Sequence, residues 1–161
     1  MVISSTPVAD AFRMTMVDSA MTHDETGWLE AKVGGTGFQS DIVTRHHRLT
    51  ADEPESAGGN DAGPTPYEFL LAAVATCTAM TIRMYANRKQ WPLESASVFV
   101  RQGRSYVKDC EDCATHSVGM GKVERRVELS GQLTEEQRAR LLEIADRCPL
   151  KQTLGRGIEV T

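Results

Sequence analysis

Four side chains in this sequence become strong nucleophiles when ionised: Cys77, Cys110, Cys113 and Cys148. A thiolate attacks peroxides and disulfides, binds soft metals and carries sulfur, so the setting of each thiol decides which chemistry is open to it. Cys77 lies inside the uncharged, alanine-rich run from Phe69 to Ile82. It sits about three turns past the expected helix start, where the helix dipole has faded, and no basic residue is at a facing distance from it. Any activation has to come from another part of the fold. Cys148 shares a helical face with Leu141, Ile144 and Ala145 and is expected to close that helix just before Pro149. The carbonyl end of a helix disfavours a thiolate, which suits a resolving thiol and leaves Cys77 as the attacking one if the pair reacts. Both cysteines also fit an inert reading, because free cysteine is often buried simply for packing.

The other reactive types are less decisive. Cys110-Glu111-Asp112-Cys113 has the spacing of a redox pair or of half a zinc site, and His116 adds a third ligand type. No fourth ligand is apparent, and the acidic neighbours push the thiols away from ionisation. Loop thiols without chemistry are the leading reading there, with metal and redox roles behind it. Glu68 stands three residues after Thr65, where it either completes a helix capping box or serves as a functional carboxylate. His46 and His47 lie between Arg45 and Arg48. On a strand such neighbours point to opposite faces, so they read as solvated surface, with one arginine free to turn inward.

These residues need a scaffold. Residues 1–12 read as an irregular lead-in. Strands are predicted at Arg13–Asp18, Trp28–Val33 and Phe38–Leu49, with a turn at Gly34–Gly37, as an antiparallel meander. Ala51–Gly63 is a long polar loop. Thr65, Pro66 and Glu68 then open a helix that runs to about Arg88, apolar or small on every side and so packed all round. Strands follow at Ser95–Arg101 and Lys122–Leu129, the second with its alternation broken at Arg125, and then a turn at Ser130-Gly131. Thr134 to Gln137 is a second capping box, and Pro149 ends or kinks the helix it opens. A turn at Leu150–Leu154 and a strand at Ile158–Val160 complete the chain. The order makes the class α+β, and a helix needing cover on all faces in so short a chain points to a dimer that shares helices and sheets.

Composition narrows the function. The 161 residues suit one domain, 1–161, with residues 13–63 carrying strands and loop and 64–161 both helices and both paired cysteines. A net charge of −4 favours neither nucleic acid nor an anionic membrane as partner. The uncharged run from Phe69 to Ile82 falls short of the roughly 20 residues of a membrane span. With no basic leader and apolar region at the start, and four cysteines, reduced thiols in the cytoplasm are expected.

The stretch Gly63-Pro64-Thr65-Pro66-Tyr67-Glu68-Phe69-Leu70-Leu71-Ala72-Ala73-Val74-Ala75-Thr76-Cys77, with the five residues before it, resembles the OsmC/Ohr family. So does Leu141-Leu142-Glu143-Ile144-Ala145-Asp146-Arg147-Cys148-Pro149-Leu150, and the similarity runs from about residue 28 onward. The resemblance implies an intertwined α+β homodimer, with antiparallel sheets from both subunits wrapped around long central helices and sites at the interface. It implies that Cys77 attacks an organic hydroperoxide, that the sulfenic acid condenses with Cys148, and that a dithiol reductant resets the disulfide, with no metal or organic cofactor. In family peroxidases a glutamate directly follows the proline matching Pro66; here Tyr67 stands there and Glu68 comes one residue later. The arginine those enzymes carry in the glycine turn is absent from Gly34-Gly35-Thr36-Gly37, and Arg45 or Arg48 is the expected substitute. Two other readings stay open: a dimeric binding protein for a small hydrophobic ligand, and thiol or sulfur transfer at Cys77.

Overall fold

Thr65 ends a loop and starts the longest element of the chain. In the computed structural model, which describes residues 27–103 and 122–161, helix α1 spans Pro66–Lys89. The Glu68 N–H donates to the Thr65 hydroxyl, and the Thr65 N–H donates to the Glu68 carboxylate at 2.8 Å, so the predicted capping box is complete. Pro66 takes the first helical position, where its missing N–H costs nothing. The helix stops at Gln90, whose φ of 52° turns the chain toward Trp91-Pro92.

Among the described residues of one chain, α1 is covered on one side only. Its buried stripe is Val74, Thr78, Ile82 and Ala86, spaced by four. The core gathers Ile82, Ala86, Leu93, Leu133, Leu141 and Ala145, flanked by Tyr85, Trp91, Val98, Val127 and Leu129. On the opposite side Met80 and Met84 are 63% and 71% exposed, along the same stripe as Ala72 and Thr76. The expected all-round packing is therefore not reached by a single chain. Among the described residues, one two-stranded sheet and two shorter helices lie against α1.

That sheet pairs β4 (Leu93–Gln102) antiparallel with β5 (Val123–Gly131), placing Val98 opposite Val127 and Val100 opposite Arg125. Ser130-Gly131, expected as a turn, is the last rung of β5. Arginines fasten the helices to the strand ends. Arg83 donates to the Leu93 and Glu94 carbonyls, and Arg138 to those of Leu129 and Gly131.

The second sheet is a meander of β1 (Glu30–Val33), β2 (Ser40–Thr44) and β3 (His47–Ala51). The stretch predicted as one strand, Phe38–Leu49, is a hairpin. The chain reverses at Arg45-His46, with Arg45 at φ 50°. Neither residue carries the usual turn chemistry of Gly, Asn or Asp, so nothing in the sequence marked the reversal. The strand expected at Arg13–Asp18 lies outside the described residues.

The loop after β3 is pinned from within. Asp52 is buried, and its carboxylate accepts the N–H groups of Glu53, Asn60 and Ala62 at 2.8, 3.0 and 3.2 Å. Burial alone would raise the Asp52 pKa; the three N–H donors outweigh it and lower it. The backbone packs so closely that a side chain at Gly59 would meet the Glu53 carbonyl, and one at Gly63 the Thr50 carbonyl.

α2 spans Glu135–Ala145 behind a capping box of Thr134 and Gln137. It does not reach Cys148. Pro149 has no N–H, and its ring crowds the carbonyl four residues back, so the ladder breaks at Ala145. The proline instead begins α3 (Pro149–Arg156), with Cys148 as its N-cap residue. A helix thus replaces the turn expected at Leu150–Leu154. Ile158–Val160 is exposed and forms no strand. The architecture is the expected α+β class, antiparallel sheets with a long central helix.

Candidate functional site

α1 and α3 bring Cys77 and Cys148 together as free thiols, the first half-buried and the second fully buried. The two thiols are close enough for each to shift the ionisation of the other. Burial pushes the Cys77 thiol up, and so does its neighbour Cys148; the Leu150 N–H and the Thr81 hydroxyl offset this only in part. Burial also acts to raise Cys148. There it is outweighed by the Lys151 N–H, the Cys77 thiol, the Thr78 hydroxyl and the Leu150 N–H, so this thiol is lowered. The expectation that Cys148 sits at a carbonyl end is thereby corrected. It stands at the amide end of α3, and although its sulfur makes no regular capping hydrogen bond, that end favours negative charge. The pair holds its negative charge more readily on Cys148, while Cys77 is the more accessible sulfur.

Behind the thiols lies Arg125. It follows the inward alternation of Val127 and Leu129 on β5, so it occupies a core-facing position with a side chain only 17% exposed. One terminal nitrogen donates to the Thr78 hydroxyl at 3.3 Å and to the Ala145 carbonyl at 2.7 Å; the other pairs with Asp146 at 2.9 Å. Asp146 also accepts from Lys151 at 2.6 Å, and chiefly for that reason its pKa is lowered. Thr76 and Thr81 turn their hydroxyls back to the Ala72 and Cys77 carbonyls, whereas Thr78 is fully buried between Arg125 and Cys148. The sequence carried a signal for Arg125 in the broken alternation of β5, but gave no hint of its target.

The other candidates are elsewhere. Glu68 is held in the first turn of α1 by the Thr65 N–H and hydroxyl, which lower its pKa. Nine residues of helix separate it from Cys77, about 13 Å and half a turn, so one chain does not bring the two together. Arg45 and Arg48 are exposed on the β2–β3 hairpin. His46 and His47 are not split across a strand. The turn brings their rings to 4.2 Å, tilted by 47°, on the surface. Cys110, Cys113 and His116 lie outside the described residues. Among the described residues no group of three or more His, Cys, Asp or Glu side chains converges as a metal site.

Two open grooves are lined by chain neighbours of the thiols, though by neither cysteine itself. One, of about 460 Å³, is lined by Thr81, Met84, Tyr85, Ile144, Arg147 and Pro149 among others. The second, of about 430 Å³, includes Val74, Arg125, Lys151 and Leu154.

The family model for OsmC-like protein matches residues 58–161. Among solved structures, an OsmC-like protein from Mycoplasma pneumoniae superposes with a TM-score of 0.65 at 19% identity, over 82% of this chain and 89% of that one. An organic hydroperoxide resistance protein OsmC from Legionella pneumophila gives 0.54 at 20% identity, over 78% and 85%. An organic hydroperoxide resistance protein from Elizabethkingia anophelis gives 0.51 at 20% identity, over 80% and 86%. No curated protein matches the chain.

Proposed function

Because the chain belongs to the OsmC-like protein family, we propose that it is a thiol peroxidase that reduces organic hydroperoxides through Cys77 and Cys148. The observation that carries the reading is the pairing of an accessible thiol on α1 with a buried one at the start of α3, beside grooves with apolar walls. The names of the Legionella and Elizabethkingia proteins point the same way.

The directions of the two thiols shape the mechanism. Cys77 passes its proton to the Cys148 thiolate and attacks the terminal peroxide oxygen. The O–O bond breaks, Cys77 becomes a sulfenic acid, and the departing alkoxide takes the proton back through Cys148 to leave as the alcohol. Cys148, a thiolate again, attacks the Cys77 sulfur; the S–S bond forms and hydroxide departs. A dithiol reductant then returns both thiols. Glu68 is assigned to the helix start rather than to the thiol.

The protein acts as a homodimer in this reading. The uncovered stripe with Met80 and Met84 on α1, and the exposed Trp28, Leu29 and Phe38 beside the meander, are the apolar surface a second copy would cover. A cytoplasmic location follows from its need for reduced thiols.

The test is thiol mapping. Reduced protein receives one equivalent of cumene hydroperoxide, is alkylated and is digested, with hydrogen peroxide in parallel. A rapid Cys77–Cys148 crosslink, faster with the organic peroxide, supports the reading. Both thiols remaining free while Cys110 and Cys113 react would sink it.

A further inference from the structure

We propose that Arg125 is a positioning residue for the resolving thiol: it holds the hydroxyl of Thr78, a neighbour of Cys148, and ties down the turn that carries Cys148. This inference rests on the peroxidase reading and adds a residue to it.

The geometry is specific. An arginine at a core-facing strand position has to satisfy its donors nearby, and Arg125 uses them on two targets that both bear on Cys148. The Thr78 hydroxyl has one proton. Because its oxygen accepts from the guanidinium, that proton is left for a sulfur, and the hydroxyl does not swing back to a helix carbonyl as those of Thr76 and Thr81 do. The second target is the Ala145 carbonyl and the Asp146 carboxylate, the end of α2 from which the turn to Cys148 departs. Among the described residues, the charged and titratable groups around Cys148 are Cys77 on α1, Arg125 on β5, Asp146 and Arg147 in the turn, and Lys151 on α3. Asp146 is matched by both Arg125 and Lys151, so its charge does not oppose a thiolate nearby. A cation thus reaches the thiol pair through Thr78, from a strand far in sequence from the glycine turn.

The step concerned is the second one. The Cys148 thiolate attacks the Cys77 sulfenic sulfur, the S–S bond forms, the S–O bond breaks, and the hydroxide leaves as water, protonated by the solvent buffer that had received the Cys148 proton. With Arg125 removed, Thr78 is free to rotate and the turn loosens, so Cys148 loses both a donor and its aim.

Arg125→Met and Arg125→Lys are compared with the parent protein under one equivalent of cumene hydroperoxide, with disulfide and dimedone-trapped sulfenic acid counted over time. Arg125→Met is expected to close the disulfide about tenfold more slowly, the worth of one charge-assisted contact, and to accumulate trapped Cys77 sulfenic acid. Arg125→Lys is expected to recover part of the rate. In parallel, thiolate absorbance near 240 nm is titrated in a background with Cys77→Ser, Cys110→Ser and Cys113→Ser, where Cys148 is the one remaining thiol. Its midpoint should move up in Arg125→Met, a change that loosened packing without the Thr78 donor would not produce. Parent-like closure in a folded Arg125→Met, or equal midpoints, overturns the inference. If the parent protein itself forms neither sulfenic acid nor disulfide, the peroxidase reading fails, and the titration alone then decides the role of Arg125.

Discussion

Glu68→Gln separates a helix cap from a catalytic carboxylate, because the chain contains its own control. The second capping box, at Thr134, uses a glutamine: Gln137 accepts the Thr134 N–H at 3.0 Å, as Glu68 accepts that of Thr65 at 2.8 Å. An amide at position 68 should therefore cap α1 as Gln137 caps α2. The distance to the chemistry follows from the helix. Nine residues at 1.5 Å and 100° each put Glu68 about 13 Å along the axis from Cys77 and on its far side. A carboxylate so placed touches neither sulfur of its own chain. Removing its charge is expected to change the rate of hydroperoxide-driven disulfide formation by less than about twofold, well under the tenfold that one lost contact to a reacting group would bring. Thr65→Ala serves as the contrast. It removes the cap itself and should cost about 1 kcal/mol in urea unfolding, again without selective loss of rate. Stopped-flow kinetics with cumene hydroperoxide and denaturant titration report the two quantities separately. A Glu68→Gln protein of unchanged stability that reacts more than tenfold slower would refute the reasoning, and would place this carboxylate against a thiol of another chain.

Cys148→Ser removes both the acceptor of the Cys77 proton and the resolving thiol, so sulfenic acid should form more slowly and no disulfide should close; dimedone then traps the Cys77 sulfenic acid and excess peroxide carries it to the sulfinic acid, both read by mass spectrometry. The proposed homodimer predicts a parent mass of twice 17.7 kDa in light scattering, and Met84→Glu, which puts a charge on the uncovered stripe of α1, should move it toward the single-chain value. Ile82 is fully buried in the core, so Ile82→Ala should lose about 3 kcal/mol in denaturant unfolding. The lowered pKa of Asp52 has a definite sign: its contribution is present above the unfolded value, near 4, and is lost as pH falls through the folded one. Hydrogen exchange should find the Asn60 and Ala62 amides protected at pH 7 and progressively freed only below about pH 4; protection lost by pH 6 would contradict the assignment.

The features legible in the sequence were those written locally. Thr65-Pro66-Tyr67-Glu68 and Thr134 to Gln137 fix their helix starts through neighbours three residues away, and both boxes are present as read. Leu141, Ile144 and Ala145 are buried along one face of α2, as read; Cys148 is buried too, but beyond the end of that helix. The misreadings arose where one residue type serves two local structures. Pro149 breaks one helix and begins another, and only the second role tells which end of a helix Cys148 occupies. Arg45-His46 reverses the chain without glycine or asparagine because pairing along the hairpin outweighs turn preference. Arg125 was visible as an irregularity, but its partners Thr78 and Ala145 lie 47 and 20 residues away, a relation no local pattern encodes.

The Asp52 loop bears on how this protein can be cut and rebuilt. By composition, residues 53–63 are the kind of segment that proteases nick and that engineers choose for insertions. Here a protease would first have to draw an extended stretch out of a loop whose amides are bound to a buried carboxylate and whose glycines lie against neighbouring carbonyls. Inserted residues would separate Asp52 from Asn60 and Ala62 and release the loop that leads into Thr65. Limited proteolysis of the folded protein should therefore spare this loop, and a tag or split site is better placed at the exposed Ile158–Thr161 end.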